Sequence, residues 1–162
     1  MLNGSSGKAS GALSSTNKLN ATSTSAVTAD ELIVLQAKVI TAYQAEAIWI
    51  MNPDTFSKIK KLKDGQNRYM LETNLSNGFP YMLLGKPVYV SDNMPAMAAS
   101  AKAILYGDMT GLAANIREDI GIEVLREKYA TQHAIGINAW LEFDSNVIDA
   151  QKLAVLEMKA GG

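Results

Sequence analysis

Side chains that could support catalysis are scarce in this sequence. His133 is the single histidine, and a general base needs partners that orient it and tune its pKa. The chain has no cysteine, so neither a thiolate nucleophile nor a thiolate metal site can form. A zinc site with two histidines is also impossible, and the Asp and Glu residues are not clustered as a hard cation requires. The sequence therefore predicts a protein that is not an enzyme and holds no metal and no cofactor.

Short stretches of the chain match catalytic or phosphate-binding signatures only in part. Residues 4–8, GSSGK, have the glycines and lysine of a phosphate-binding loop. Their spacing is wrong, no Ser or Thr follows the lysine, and no strand precedes them. Residues 15–18 and 57–60 match Ser-x-x-Lys, a pattern that arises by chance when its companion motifs are missing. None of these stretches predicts a catalytic site.

Charge in the sequence is balanced, with 15 Lys and Arg against 16 Asp and Glu and a net charge of -1. A protein whose main role is binding nucleic acid needs a concentrated basic face. The densest basic run, residues 58–63, lacks interleaved aromatic residues and fits a solvated helix end. Asp92, Asp108 and Asp119 each adjoin a turn residue, where aspartate caps backbone amides. We therefore expect no sequence-specific nucleic-acid partner.

The chain has the size and composition of one globular domain. Its 162 residues are 48% hydrophobic, which is enough for a sizeable core. No stretch reaches the roughly 18 apolar residues that a membrane helix needs, and the N-terminus shows no secretory signal. We expect a cytoplasmic folding environment and no membrane partner.

Local signals predict the elements of the first third of the chain. Residues 1–27 are rich in Gly, Ser and Thr and offer little apolar surface, so we expect a flexible, loosely docked lead-in. Residues 28–31 form a capping box that opens an amphipathic helix, which the apolar spacing extends to about residue 45. Residues 47–51 are typical of a buried strand. Asn52-Pro53 then begins a second helix that we expect to end near residue 62.

The rest of the chain is predicted to form strands and turns. Residues 66–85 are polar and turn-rich, which indicates an exposed excursion folded as a β-ribbon. Apolar side chains alternate through residues 135–143, so we expect a strand with one buried face and Trp140 on the other. Residues 153–158 fit a strand or a short helix equally well. Shorter strands are predicted at residues 87–90, 103–106, 113–117 and 122–125, with a hinge at 119–121. Helices followed by antiparallel strands indicate the α+β class.

Six short motifs occur in a recognisable order. They are AIWIMN at residues 47–52, LKD at 62–64, NRYM at 67–70, LLGKPV at 83–88, SDNMP at 91–95 and ILYGD at 104–108. With the Gly-rich opening and the helix at residues 30–43, they resemble the C-terminal half of tailed-bacteriophage major capsid proteins with the Hong Kong 97 fold.

The resemblance implies an architecture. Residues 28–121 correspond to the capsid axial domain, a mainly antiparallel or mixed sheet flanked by helices. Residues 122–162 correspond to an axial strand and returning strands of the peripheral domain. By this resemblance we expect no counterpart of the family's N-terminal arm, extended loop and spine helix in these 162 residues. Residues 142–145, EFDS, stand where many relatives have Arg-Val-Asp-Gly, so no contact of that arginine is expected here.

The resemblance also implies a function without catalysis. We expect a structural subunit of a phage or prophage icosahedral head, which forms the shell by self-association into pentamers and hexamers. Its expected partners are other copies of the same protein, together with scaffold and portal proteins. Its expected location is the virion, and assembly is expected to take place in the host cytoplasm. A subunit interface near the capsomer axis is expected at Asp64, Arg68, Tyr69, Glu72, Asn77 and Phe79.

Two alternatives stay open at the level of sequence. Encapsulin-like nanocompartment shells use the same fold in a cellular role, and a cargo enzyme encoded nearby would favour them. A small-ligand-binding α+β domain would instead require a deep apolar pocket with convergent polar groups.

Overall fold

A computed structural model describes residues 11–63, 69, 71–73, 81–125 and 135–161, with residues 71–73 and 117–119 described by their backbone alone. This part of the chain contains the α-helices Ala29–Ala37 (α1) and Pro53–Lys60 (α2). Its strands are Lys18–Asn20 (β1), Ile48–Met51 (β2), Leu71–Thr73 (β3), Tyr81–Leu83 (β4), Lys86–Val90 (β5), Lys102–Gly107 (β6), Leu112–Leu125 (β7), Gly136–Val147 (β8) and Leu153–Glu157 (β9). His133 and the GSSGK stretch lie outside the described residues.

Seven strands form one mixed sheet in the order β1-β9-β6-β2-β5-β4-β3. In its middle, β2 runs antiparallel to β6 and parallel to β5, which places Trp49 between Tyr106 and Val88. The remaining strands, β7 and β8, pair with each other as a separate antiparallel ribbon. Helices combined with a mixed sheet confirm the predicted α+β class.

The capping box begins α1 as the sequence predicts. The Thr28 hydroxyl accepts a hydrogen bond from the Glu31 amide at 3.3 Å, and the Glu31 carboxylate accepts one from the Thr28 amide at 2.8 Å. The predicted end near residue 45 is wrong, because α1 stops at Ala37 and Ile40 is extended. The Gln44 side-chain amide donates to the carbonyls of Gln36 and Val39, which satisfies acceptors that the end of the helix leaves open.

The start of α2 is also fixed locally. The Asn52 side chain accepts from the Asp54 amide at 3.0 Å, and Pro53 occupies the first turn, where its missing N–H costs no hydrogen bond. The Asn52 amide also donates to the Met94 carbonyl at 2.7 Å and so ties the helix start to the segment after β5. The helix ends at Lys60, two residues before the predicted end.

The sheet separates two hydrophobic clusters. Side chains alternate along β2, β9 and most of β6, so neighbours in sequence enter different clusters. The exception is Ala103 and Ile104, which enter the same cluster where the pairing of β6 shifts. One cluster contains Trp49 and Tyr106 together with Leu32 and Leu35 of α1 and Ile59 of α2, so both helices cover the same face. The other face holds Leu13, Met94, Leu105, Leu153 and Val155, with Leu112 and Val147 of the ribbon packed against them.

The expectation of a loosely docked lead-in is wrong for residues 11–27. Ala12 and Leu13 are buried in the second cluster, and the Lys102 ammonium donates to the Leu13 carbonyl at 2.7 Å. Farther on, β1 pairs in parallel with β9 at the edge of the sheet. Sheet pairing and a few small apolar side chains order the segment, although its composition is typical of a loop.

The last strands settle two points that periodicity left open. Residues 153–157 form a strand, β9, which lies between β1 and β6 with Leu153 to Leu156 buried. Residues 112–125 form one strand, and the hinge predicted at 119–121 is observed as irregular pairing between Ile116 and Gly121. Such bulges bend a strand without ending it.

Neither α-helix in the described part of the chain has the length and hydrophobicity that crossing a membrane requires.

Candidate assembly surface

The predicted interface residues lie at one edge of the seven-stranded sheet or outside the described ranges. Outside them are Asp64, Arg68, Asn77 and Phe79. Tyr69 is 63% exposed, and the Lys63 ammonium lies 5.2 Å from the centroid of its ring. Glu72 is the middle residue of the edge strand β3, in register with Met82 of β4. The predicted β-ribbon at residues 66–85 is therefore present as the antiparallel pair β3–β4.

The β7–β8 ribbon has two faces of different polarity. Residues opposite each other in an antiparallel pair project to the same face. One face carries the pairs Leu112–Val147, Ala114–Ser145, Ile116–Phe143, Ile122–Ala139 and Val124–Ile137; it is apolar except for the buried Ser145, and we call it the apolar ribbon face. The other carries Ala113–Asn146, Asn115–Asp144, Gly121–Trp140 and Glu123–Asn138, together with Glu142, and we call it the polar ribbon face.

The apolar ribbon face is covered only at its base. Leu112 and Val147 pack against the second hydrophobic cluster, where the ribbon leaves the sheet. Away from the base, Phe143 is 43% exposed, Ile122 68% and Ile137 73%. Isolated exposed apolar residues are ordinary on a protein surface, but a continuous apolar face marks a place where another chain or segment binds.

The predicted alternation in residues 135–143 is confirmed as a strand, whereas the predicted burial of one face is wrong within this chain. The side chains expected to be buried, including Ile137 and Phe143, point to the apolar ribbon face. Among the described residues nothing covers that face beyond its base. A period of two fixes which residues share a face, and it does not say what lies against them.

Trp140 lies on the polar ribbon face, as predicted. Its indole packs over Gly121 on the neighbouring strand, and a Cβ atom added at Gly121 would lie 2.9 Å from the ring. The missing side chain at residue 121 therefore makes room for the tryptophan, which remains 39% exposed.

A second exposed apolar surface lies on α1. Ile33 and Val34 are exposed on the side opposite Leu32 and Leu35, which face the core, and Ile40, three residues after the helix, is exposed as well. The helix is therefore apolar on both sides, a pattern typical of helices that are buried all round. This surface is a second candidate for contact with another chain.

Charged side chains beside the sheet stabilise the turns before β7 and β9. Partial burial acts to raise the pKa of Asp108, but hydrogen bonds from the Thr110 hydroxyl and amide, together with the charge of Lys152, outweigh it and lower the pKa. The Lys152 ammonium also donates to the Thr110 hydroxyl at 3.0 Å and lies over the Tyr43 ring. Burial raises the pKa of Tyr106, against the effect of its hydrogen bond with Gln36. These contacts join the turns before β7 and β9.

The described residues do not form a recognisable catalytic or metal site. They contain no group of three or more His, Asp or Glu side chains placed to hold a metal ion. One open depression of about 330 Å³ is lined by Thr16, Asn17, Lys38, Ile40, Ala150 and Gln151. It is open to solvent and lined by both polar and apolar side chains, unlike the deep apolar pocket that a ligand-binding domain needs.

The sequence matches the model of the phage capsid family over residues 1–158. The chain belongs to the phage capsid family.

Solved capsid structures share its fold. The capsid chain of an empty GTA particle, computed with C5 symmetry, matches with a TM-score of 0.76 and 24% sequence identity, and the match covers 94% of this capsid-family chain. The capsid of a native GTA particle matches with a TM-score of 0.74 and 25% sequence identity over 96% of this chain. A chain of Gordonia phage Cozz matches with a TM-score of 0.64 and 14% sequence identity over 98% of this chain. Among curated proteins no significant match was found. The predicted Hong Kong 97-type fold is confirmed.

The capsid-family chain is shorter than these relatives. It spans 57% of the empty-particle GTA chain, 63% of the native-particle chain and 57% of the Cozz chain. The match extends over nearly all of this chain, so the difference lies in parts of the relatives that have no counterpart here.

Sequence reasoning missed the outer surface of α1 in this capsid-family chain. The signal was present, because Ile33 and Val34 interrupt the polar side of the predicted helix. Only the three-dimensional structure shows that no described residue covers them.

Proposed function

We propose that this chain is part of a structural subunit of a phage or prophage icosahedral head, which forms the shell by self-association into pentamers and hexamers. Membership of the phage capsid family supports the proposal. The observation that carries it is the apolar ribbon face, a continuous surface that a subunit designed to stay single would not expose.

Ring formation fits the type of surface that the chain exposes. In a ring each subunit uses two different patches, one toward each neighbour, and the rotation closes the assembly. The ribbon and the outer side of α1 are two such distinct patches. The similar capsid of an empty GTA particle was computed with C5 symmetry, which is compatible with closed rings. Repeated weak contacts around a ring add up through avidity.

The division of the chain follows as part of the proposal. We assign the seven-stranded sheet and its helices to an axial domain, and the β7–β8 ribbon to returning strands of a peripheral domain. The boundary expected at residue 121 lies inside β7, so this assignment moves it to the start of that strand. Because β9 returns to the sheet beside β6, the ribbon is inserted between β6 and β9 along the chain.

The surroundings of the subunit follow in the same way. The partners are other copies, together with scaffold and portal proteins, and the location is the virion, with assembly in the host cytoplasm. As a further part of the proposal, Asp64, Arg68, Tyr69, Glu72, Asn77 and Phe79 form an interface near the capsomer axis, and of these Glu72 lies in the edge strand β3. A map of the whole shell that places these residues far from neighbouring copies would remove that interface.

The direct test of the function is the location of the chain in particles. Lysates of cells that carry the gene are treated with nuclease and separated on a density gradient, and peptides of this chain are measured by mass spectrometry. We expect the peptides in the fraction that contains nuclease-protected DNA. Peptides confined to low-mass soluble fractions, in lysates that do contain particles, would contradict the proposal.

The role of the ribbon is tested by substitutions on its two faces. Ile137→Lys with Phe143→Lys places two charges on the apolar ribbon face, and Asn138→Lys with Asn146→Lys adds the same charge to the polar face as a control. All four side chains are partly or largely exposed, so both variants should fold. We expect the apolar-face variant to lose concentration-dependent association in sedimentation velocity, and the control to retain more of it. Equal association of the two variants would contradict the assignment.

A further inference from the structure

The exposed side of α2 and the residues just after it carry a concentrated positive charge. Lys58, Lys60, Lys61 and Lys63 are all exposed, and we call them the lysine patch. Ile59 lies among them in sequence and is fully buried in the cluster that contains Trp49. The turn is therefore anchored to the core through Ile59, and the lysines around it face solvent.

The contacts of the lysine patch within the described part of the chain are with neutral groups. The Lys58 ammonium donates to the Ser25 carbonyl at 3.1 Å, and the ammonium groups of Lys60 and Lys63 lie over tyrosine rings. Asp54 is an exposed carboxylate in the first turn of the same helix, and no ion pair joins it to these described lysines. The described contacts therefore hold the lysines in place without cancelling their charge.

Two tyrosine rings lie against the lysine patch in space, although residues 58–63 contain no aromatic residue. The Lys60 ammonium lies 5.2 Å from the centroid of the Tyr81 ring, which Phe56 contacts edge-on at 5.0 Å. The Lys63 ammonium lies 5.2 Å from the centroid of the Tyr69 ring, which is 63% exposed. Cation–π contacts of this kind restrain long side chains at the surface. The fold therefore supplies the aromatic residues whose absence from the basic run made the sequence favour a solvated helix end.

We propose that the lysine patch binds the phosphate backbone of nucleic acid without sequence preference. Ammonium groups that neutralise phosphates release condensed counterions, and this gain does not depend on which bases are present. The contact goes beyond the proposed function and rests on it for its ligand, because nucleic acid is what a phage head encloses. Each chain offers only a few phosphate contacts, and repetition over the many copies of a shell adds them up through avidity.

An acidic surface of another protein chain is the competing ligand, and the surroundings of the patch favour nucleic acid. The centre of a protein–protein interface is apolar and depleted in lysine. None of the exposed large apolar side chains of the described residues belongs to α2, whose outer surface carries Asp54 and Ser57 beside the lysines. The surfaces that suit another copy of the chain are the apolar ribbon face and the outer side of α1. A polyanion, in contrast, needs only exposed positive charge.

The test measures binding of the whole chain to a labelled DNA duplex by fluorescence anisotropy over a range of salt concentrations. The patch variant carries Lys60→Gln and Lys61→Gln, because Lys58 holds the Ser25 carbonyl and Lys63 adjoins a residue outside the described ranges. The control carries Lys38→Gln and Lys159→Gln, which remove the same charge from exposed positions elsewhere. A rescue variant carries Lys60→Arg and Lys61→Arg. Circular dichroism checks folding, and sedimentation velocity follows self-association.

We expect the wild-type affinity to fall roughly 40- to 150-fold between about 50 mM and about 200 mM salt, which corresponds to about three or four neutralised phosphates. The patch variant should bind at least about tenfold more weakly than the control at low salt, and the slope of its salt dependence should be smaller by about 2, since each lost lysine contact lowers it by about 1. The rescue variant should bind like the wild type, because Arg also neutralises phosphate. Duplexes of unrelated sequence should bind equally.

Four outcomes would overturn the inference. No binding of the wild-type chain to DNA at low salt would exclude the contact, and so would equal affinities and salt slopes for the patch variant and the control. A rescue variant that folds and fails to bind would show that the charge of the patch is not what DNA recognises. Weaker self-association of the patch variant with unchanged DNA binding would assign the patch to another protein chain. The proposed function is judged separately, by the presence of the chain in particles, and stands if only the DNA contact fails.

Discussion

At the scale of single residues, Trp49 of β2 contacts two other strands of the sheet through its side chain. Its indole N–H donates to the Leu83 carbonyl of β4 at 3.0 Å, and its ring lies 4.3 Å from that of Tyr106 on β6. The Tyr106 hydroxyl in turn lies 3.5 Å from the Gln36 side chain of α1. Three strands and a helix are therefore joined through one fully buried aromatic pair.

Trp49→Phe should destabilise the chain by about 2–3 kcal/mol, because it removes a buried hydrogen bond and leaves a cavity. The matched control is Trp140→Phe on the ribbon, where the ring is 39% exposed and the loss should stay below about 1 kcal/mol. Urea denaturation measures both. Equal losses for the two variants would show that Trp49 does not have this central position.

The capping box gives a second prediction at this scale. Thr28→Ala should cost about 1 kcal/mol of unfolding free energy, because the Glu31 amide loses its acceptor. Ser57→Ala, at an exposed position of α2, is the control and should change stability by less than about 0.5 kcal/mol. A loss for Thr28→Ala no larger than that of the control would mean that the cap contributes nothing to stability.

The same cap predicts a dependence on pH. Partial burial acts to raise the pKa of Glu31, but the hydrogen bonds that its carboxylate accepts from Thr28 and Thr22 outweigh it and lower the pKa. Folding therefore stabilises the charged form of Glu31. Its contribution to stability is complete at pH values above the ordinary pKa of about 4.3, and it is lost as the pH falls through the lowered pKa of the folded state. The stability difference between wild type and Glu31→Gln should accordingly be largest near neutral pH and shrink in acid. A difference that grows in acid would contradict the assignment.

At the scale of elements, the sequence predicts what is encoded within a few residues. The Thr28 cap, the Asn52-Pro53 start and the apolar run of β2 all appear where local chemistry places them. The early end of α1 is accompanied by hydrogen bonds from the Gln44 side chain, and β1 depends on pairing with the distant strand β9. Neither contact leaves a periodic trace in the sequence, so the predictions there were wrong.

Two glycines show how backbone conformation fixes the turns. Leu84 and Gly85 join β4 to β5 with φ of 49° and 76°, the left-handed pair of a two-residue hairpin. Gly107 ends β6 with φ of 144°, where an added Cβ would overlap the Lys152 carbonyl before β9. The first glycine has open space around it and the second has none.

Gly107→Ala should therefore cost about 3 kcal/mol or more, since both the backbone conformation and the approach of the Lys152 carbonyl oppose a side chain. Gly85→Ala shares only the conformational penalty and should cost about 1–2 kcal/mol. Thermal unfolding of the two variants side by side checks the order. A reversal, with Gly85→Ala the less stable, would contradict the close packing of β6 on the turn before β9.

At the scale of the whole molecule, the candidate site was predictable in part. Alternation in residues 135–143 predicted the apolar ribbon face, because the period of a strand is local. What covers that face is not a local property, so burial could not be predicted from one chain. The residues expected near the capsomer axis were inferred from exposure alone, and they remain a prediction.

The exposed surfaces of this chain are too few for all the contacts of a shell, so we predict that the isolated chain does not form closed shells. A shell needs contacts within each ring and also between rings, and this chain matches only 57–63% of the GTA capsid chains. The ribbon and α1 supply at most the contacts to two neighbours in a ring. We therefore expect small, concentration-dependent oligomers in light scattering, and no particles in negative-stain electron microscopy. A GTA capsid protein prepared in the same way is the control, and closed particles from the 162-residue chain would show that its exposed surfaces suffice for every contact in the shell.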